Sequence, residues 1–90
     1  MLIALIARDN PARPNIRAEN RPAHLDYLKS SGEKISMAGP LIENGNMVGS
    51  LIILNVADMA AAQDWADNDP YAKAGLFQSV ELIEWKKVIG

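Results

Sequence analysis

The stretch Leu51-Ile52-Ile53-Leu54 is apolar at four successive positions, and Leu2-Ile3-Ala4-Leu5-Ile6-Ala7 at the other end of the chain does the same over six. A strand with one wet face alternates apolar and polar residues, because successive side chains point to opposite sides. These two runs do not alternate, so both faces of the sheet that contains them are predicted to be buried. Leu2 to Arg8 is the first strand, Lys34 to Leu41 the second and Met47 to Val56 the third, with Glu43-Asn44-Gly45-Asn46 as the turn between the last two. Val80 to Val88 completes the set.

Between the strands lie two helical stretches. Asn10 to Pro14 is a loop, and Asn15 to Ser31 is helical, read as two pieces because Pro22 cannot donate a helix hydrogen bond. Proline suits a first turn, so the main piece is expected to begin near Arg21 and to stop at Gly32. Asp58 reads as the N-cap of a second helix, Met59 to about Asn68, with a further turn over Pro70 to Gly75. The order is β-α-β-β-α-β, an α+β fold of the ferredoxin-like kind with an antiparallel sheet. Two helices cover only one face of such a sheet. The other face then needs an apolar partner, and the simplest is the same face of a second copy, which predicts a homodimer packed sheet to sheet.

Ninety residues make one domain, 1–90. A chain this short buries roughly two thirds of its unfolded surface, and without cysteine no disulfide can supplement the core. The lack of cysteine fits the cytoplasm. Nine basic residues face eleven acidic ones and are scattered, so no face suited to nucleic acid is expected. The apolar N-terminus lacks a basic lead and closes at Arg8-Asp9-Asn10, too short to span a membrane.

His24 is the only histidine and the only side chain whose ordinary pKa lies between pH 5 and 8. A proton-transferring imidazole is commonly oriented by a carboxylate. At about 100° per residue, with His24 at zero, Leu28 falls at about 40°, Arg21 at about 60° and Leu25 at about 100°, so His24 flanks the apolar stripe. The same count of about 100° from Met59 puts Ala66 at about 340°, Ala62 at about 300° and Trp65 at about 240°. Asp69, at about 280° on that scale, falls among them if the helix extends so far. Gln63, Asp64 and Asp67 take the opposite, solvated side. A carboxylate at a helix C-terminus opposes the macrodipole, and protonated His24 is the cation expected to relieve it.

Arg21-Pro22-Ala23-His24-Leu25, Ala38-Gly39-Pro40, Gly49-Ser50, Ala61-Ala62-Gln63-Asp64-Trp65-Ala66, Asp69-Pro70-Tyr71 and Ala74-Gly75-Leu76-Phe77, taken in order, resemble the YCII-related (YciI-like) proteins. The resemblance covers nearly the whole chain. It implies a dimeric α+β barrel, and it implies that His24 and Asp69 are the family's proposed catalytic pair in a cleft. Where chemistry is assigned in the family, it resembles elimination on a hydroxylated, chlorinated aromatic ring; the wider superfamily includes ring isomerases and haem-binding enzymes. Two departures stand out. The Glu43 to Asn46 turn is shorter than in many relatives, and Glu84-Trp85 stands where relatives often carry proline and an aromatic residue.

Each candidate also has a plainer reading. Asp69 before Pro70 is a common cap for a following turn, and both roles can hold together. Arg21 is a candidate for holding an anionic substrate or a solvated surface residue. Ser50 after Gly49 reaches a pocket or marks close strand packing. Tyr71 donates to a substrate oxygen or covers the dimer seam. Trp65, Trp85, Met37, Met47 and Met59 read as packing. One histidine and no cysteine supply no metal set, and no cofactor is expected. The leading expectation is a metal-free acid–base enzyme, a lyase or isomerase acting on a small polar or aromatic molecule. There His24 moves the proton, Asp69 orients its ring, and Arg21, Ser50 and Tyr71 meet the substrate. The alternatives are a ligand-binding dimer without turnover, in one variant with His24 as an axial haem ligand, and a purely structural module.

Overall fold

The computed structural model describes residues 1–90. β1 (Leu2–Asp9) leads through a short loop to α1 (Ile16–Ser31). A single 3₁₀ turn then opens β2 (Ile35–Glu43), followed by β3 (Asn46–Asn55), α2 (Met59–Asp67), the short α3 (Pro70–Lys73) and β4 (Phe77–Glu84). The four strands form one antiparallel sheet in the order β2-β3-β1-β4. That is the ferredoxin-like α+β arrangement expected from the apolar runs. No helix is long and apolar enough to cross a membrane.

The turn between β2 and β3 is as short as a hairpin allows. Asn44 and Gly45 both take positive φ, 52° and 79°, the conformation of a two-residue turn whose twist matches that of the strands. Gly49 is required for a different reason. A Cβ there would collide with the carbonyl oxygen of Ala7, so β3 approaches β1 closely just before Ser50.

Alternation along the central strands sorts the core. Ile3, Leu5 and Ala7 of β1 lie opposite Leu54, Ile52 and Ser50 of β3. The first two pairs pack under Ala62, Trp65 and Ala66 of α2, with Tyr27 and Leu28 of α1 at the margin. The opposite face carries a cross-strand row of Met37, Ile53, Ala4 and Ile83. Within the row the central Ile53 and Ala4 are 5% and 6% exposed, whereas Met37 and Ile83 at its ends are about half exposed.

Two elements, α1 and β4, differ most from expectation, while β2 (Ile35–Glu43) and β3 (Asn46–Asn55) shift by one or two residues. α1 is one helix running through Pro22 rather than a helix opening near it. Pro22 and Ala18, whose carbonyl loses its partner, are both solvent-exposed. The helix is also pinned on either side of the proline, by Arg17 and by His24. β4 runs Phe77–Glu84 rather than Val80 to Val88, starting three residues earlier and ending four earlier, because β1, the strand it pairs with, extends only from Leu2 to Asp9.

Candidate functional site

Every third or fourth residue of α1 from Arg17 looks the same way. Arg17, Arg21, His24 and Leu28 all line one cavity between α1 and the sheet, the spacing that places side chains on one helix face. His24 is the only fully buried residue of that helix. Its Nδ1 lies 2.9 Å from Asp69 Oδ1. A carboxylate only accepts, so Nδ1 carries the proton and donates. Nε2 makes no hydrogen bond within the chain, and the ring lines the cavity.

Asp69 arrives by a route other than the helical-wheel one. α2 ends at Asp67, and Asp69 is the N-cap of α3, its Oδ1 also accepting from the Tyr71 backbone N–H at 3.0 Å. The two readings of this residue are thus met by one oxygen atom. Being a cap holds the carboxylate in place, and the macrodipole argument does not apply because α2 stops short of it. The other oxygen, Oδ2, is buried without a donor.

Tyr71 is 1% exposed, so it does not cover a seam between copies. Its ring stacks on His24 with centroids 3.9 Å apart and planes 14° apart. The Arg17 guanidinium lies over its ring at 4.8 Å. Burial pushes the Tyr71 phenol above its ordinary range, against the opposing pull of Arg17 and Arg21. Burial also raises Tyr27, with Asp69 and Asp64 adding to it; the Tyr27 hydroxyl donates to the Trp65 carbonyl at 2.8 Å.

Arg17 is the residue missed from sequence. It grips Asp9 with two hydrogen bonds, Nε to Oδ2 at 2.7 Å and Nη2 to Oδ1 at 2.8 Å, and Nη2 also donates to Ser50 Oγ at 3.1 Å. Burial alone would lower its pKa, but the Asp9 carboxylate more than offsets this and the guanidinium stays firmly charged. The signal was available: at about 100° per residue, seven positions before His24 is the same helix face. Its partner Asp9 could not be read, because that pairing needs the loop between β1 and α1 to close.

Four of the residues singled out from sequence, His24, Arg21, Ser50 and Tyr71, therefore line one cavity of about 150 Å³, and Asp69 stands behind His24. Ser50 is buried and bound to Arg17, with no base beside it that would make it a nucleophile. Arg21 is exposed at the cavity mouth. Leu25, Leu28, Ala38, Pro40 and Ile52 make the rest of the wall mostly apolar. A space of roughly this size is known to hold a single benzene ring.

Comparison with known proteins agrees with this fold. Protein YciI of Escherichia coli O6:H1 and of Shigella flexneri are each 33% identical over 97 aligned positions, covering 98% of this chain and 99% of theirs. Among solved structures, the 5-chloro-2-hydroxyhydroquinone dehydrochlorinase TftG from Burkholderia phenoliruptrix AC1100, in complex with 2,5-dihydroxybenzoquinone, superposes with a TM-score of 0.89. It shares 33% identity and covers 96% of this chain and 94% of its own. A protein provisionally described as an antibiotic biosynthesis monooxygenase, from Bacteroides thetaiotaomicron, has a TM-score of 0.58 at 21% identity over 99% of this chain and 90% of its own, and shares the fold alone. The profile of the YCII-related domain matches residues 1–86, and the chain belongs to that family.

Proposed function

We propose that this chain is a metal-free acid–base catalyst that moves a proton on a small, single-ring molecule, in an elimination or isomerisation. The observation that carries the reading is His24 held at Nδ1 by buried Asp69 while Nε2 is left to a ring-sized cavity. Nε2 takes a proton from the bound ring. The electron pair left behind forms a double bond, and either expels a leaving group or accepts a proton back at another position. The imidazolium formed meanwhile is stabilised by the Asp69 carboxylate, 2.9 Å away. Positioned proton transfer of this kind contributes about 10² to 10⁴ in rate. The dehydrochlorinase relative, bound to a one-ring quinone, supports the substrate size and the lyase class.

Tyr71 supplies a flat wall behind His24, and its burial keeps it a neutral phenol at ordinary pH. Arg17 and Ser50 set one side of the cavity and Arg21 its mouth. One histidine with one carboxylate is too few ligands for a transition metal.

Two copies pairing through the sheet face that carries Met37, Ile53, Ala4 and Ile83 complete the assembly we propose, with half-exposed Met37 and Ile83 at the seam. Light scattering should give a dimer mass, and Met37→Lys with Ile83→Lys should halve it. The absence of cysteine is compatible with the cytoplasmic setting we propose.

The catalytic reading is tested with 5-chloro-2-hydroxyhydroquinone and its unchlorinated analogue, following chloride release and exchange of ring hydrogen for solvent deuterium. We expect at least one of the two reactions, lowered by about 10² or more in His24→Ala. Turnover that survives His24→Ala undiminished would refute it.

A further inference from the structure

The four arginines of this chain are Arg8, Arg13, Arg17 and Arg21, and all four line a single groove of about 1010 Å³. None of the five lysines does. The groove shares Arg17, Arg21 and Met47 with the small cavity at His24, so the two spaces adjoin. In a chain of net charge −2, this gathers one kind of cation at one place.

The arginines are not consumed by ion pairs. Arg17 is committed to Asp9, but Arg8 and Arg21 make no side-chain hydrogen bond, and Arg13 has only a long one, 3.5 Å, to the Gly75 carbonyl. With Asp9 occupied, Glu43 is the one carboxylate left in the groove against three free guanidiniums. Three like charges around one concavity repel one another unless an anion joins them. Guanidinium is also the group whose planar, two-pronged donor set matches the oxygens of a carboxylate or phosphate.

We propose that the ligand whose ring end reaches His24 carries an anionic oxyacid end, held in this groove by Arg8, Arg13 and Arg21. The inference builds on the proton-transfer reading, to which it adds a substrate class: a ring bearing a short arm that ends in a carboxylate or phosphate. Arg17 takes no part in gripping that arm. It forms the wall between the two compartments, fixed by Asp9 and Ser50.

The test is equilibrium binding, with no turnover required. Three probes share one ring: 3-phenylpropanoate, 2-phenylethyl phosphate and the uncharged 3-phenylpropanol. Binding is followed by isothermal titration calorimetry in every variant, and in the histidine-bearing ones also by the shift of the single His24 imidazole signal. One or both anions should bind about tenfold or more tightly than the alcohol, as expected for one charge-assisted contact, and the advantage should shrink with added salt. Arg13→Gln and Arg21→Gln should each reduce it, the double variant should abolish it, and Lys73→Gln, outside the groove, should leave it intact. Comparing the two anions tells carboxylate from phosphate. Equal binding of alcohol and anions, or an anion preference that survives in the folded double variant, overturns the proposal. His24→Gln keeps the two readings separable: an anion preference retained there, with turnover also unchanged, would remove the catalytic reading and leave the groove's role standing.

Discussion

Replacing Asp69 with asparagine separates charge from orientation at His24. Oδ1 accepts from both the imidazole and the Tyr71 backbone N–H, at 2.9 and 3.0 Å, while Oδ2 is buried with no donor beside it. A backbone N–H cannot reverse its polarity. The amide must therefore keep its oxygen on that side and turn its NH₂ to where Oδ2 lay. His24 goes on donating from Nδ1, and Nε2 stays free for the substrate. What disappears is the charge. A hydrogen bond to a charged group contributes about 1.5–3 kcal/mol and a neutral one about 0.5–1.5, so roughly 1–1.5 kcal/mol of imidazolium stabilisation is lost, about a tenfold drop in rate. Turning the ring to the wrong tautomer would instead lower it by about 10⁴. Stability falls for a separate reason, since two amide N–H donors then sit in a buried spot without acceptors, at about 1–3 kcal/mol. For a domain of this size that lowers Tm by at least about 4 °C. Long-range ¹H–¹⁵N spectra of the one histidine read the tautomer directly, and a thermal melt reads the stability. A ring protonated at Nε2 in Asp69→Asn, a loss of about 10⁴ in rate, or an unchanged Tm would each refute the reasoning.

Arg17→Leu should destabilise by about 3 kcal/mol, because it leaves Asp9 partly buried and unpaired; urea titration measures this, and a loss under about 0.5 kcal/mol, typical of a neutral surface change, would contradict it. Tyr71 holds its proton above the ordinary value of 10.0 because it is buried, so the unfolded chain ionises first. Its contribution to stability is full below that pH and declines as pH rises beyond it. Tyr71→Phe should accordingly show a shallower alkaline loss in a pH series of urea midpoints; an unchanged slope speaks against the burial argument. Pro22→Ala restores a backbone N–H to the middle of α1 and should raise stability by about 1–3 kcal/mol. A lower Tm in that variant would mean the proline is needed to aim His24.

The fold was legible because its evidence is local. Leu51 to Leu54 and Leu2 to Ala7 announce strands apolar on both sides, and Asn44-Gly45 and Asp58 are turn and cap residues whose effect lies within a few positions. His24 stood out by being alone. Less legible were features set by partners distant in the chain. α1 runs through Pro22 because Arg17 and His24 are anchored on Asp9 and Asp69, and β4 takes its ends from β1 rather than from its own composition. Asp69 lies 2.9 Å from His24, but the wheel that pointed to it assumed that α2 extends to Asp69, two residues beyond its end. The bond that holds it comes from α3. Arg17 shows the limit from the other side: its helix face could be counted, but its bond to Asp9 could not.

α1 is tied down by polar bonds as well as by the packing of Tyr27 and Leu28. Its one fully buried side chain is an imidazole, and the bonds that tie it down are Arg17 to Asp9, His24 to Asp69, Tyr27 to the Trp65 carbonyl and the Trp65 indole to Ser31. α2 brings Ala62, Trp65 and Ala66 to the core instead. Lifting α1 away would uncover Tyr27, Leu28 and Tyr71 and dismantle the whole His24 cavity. Docking of this helix and possession of the site are thus a single equilibrium, and a ligand that fills the cavity should slow amide exchange along α1 more than anywhere else in the chain.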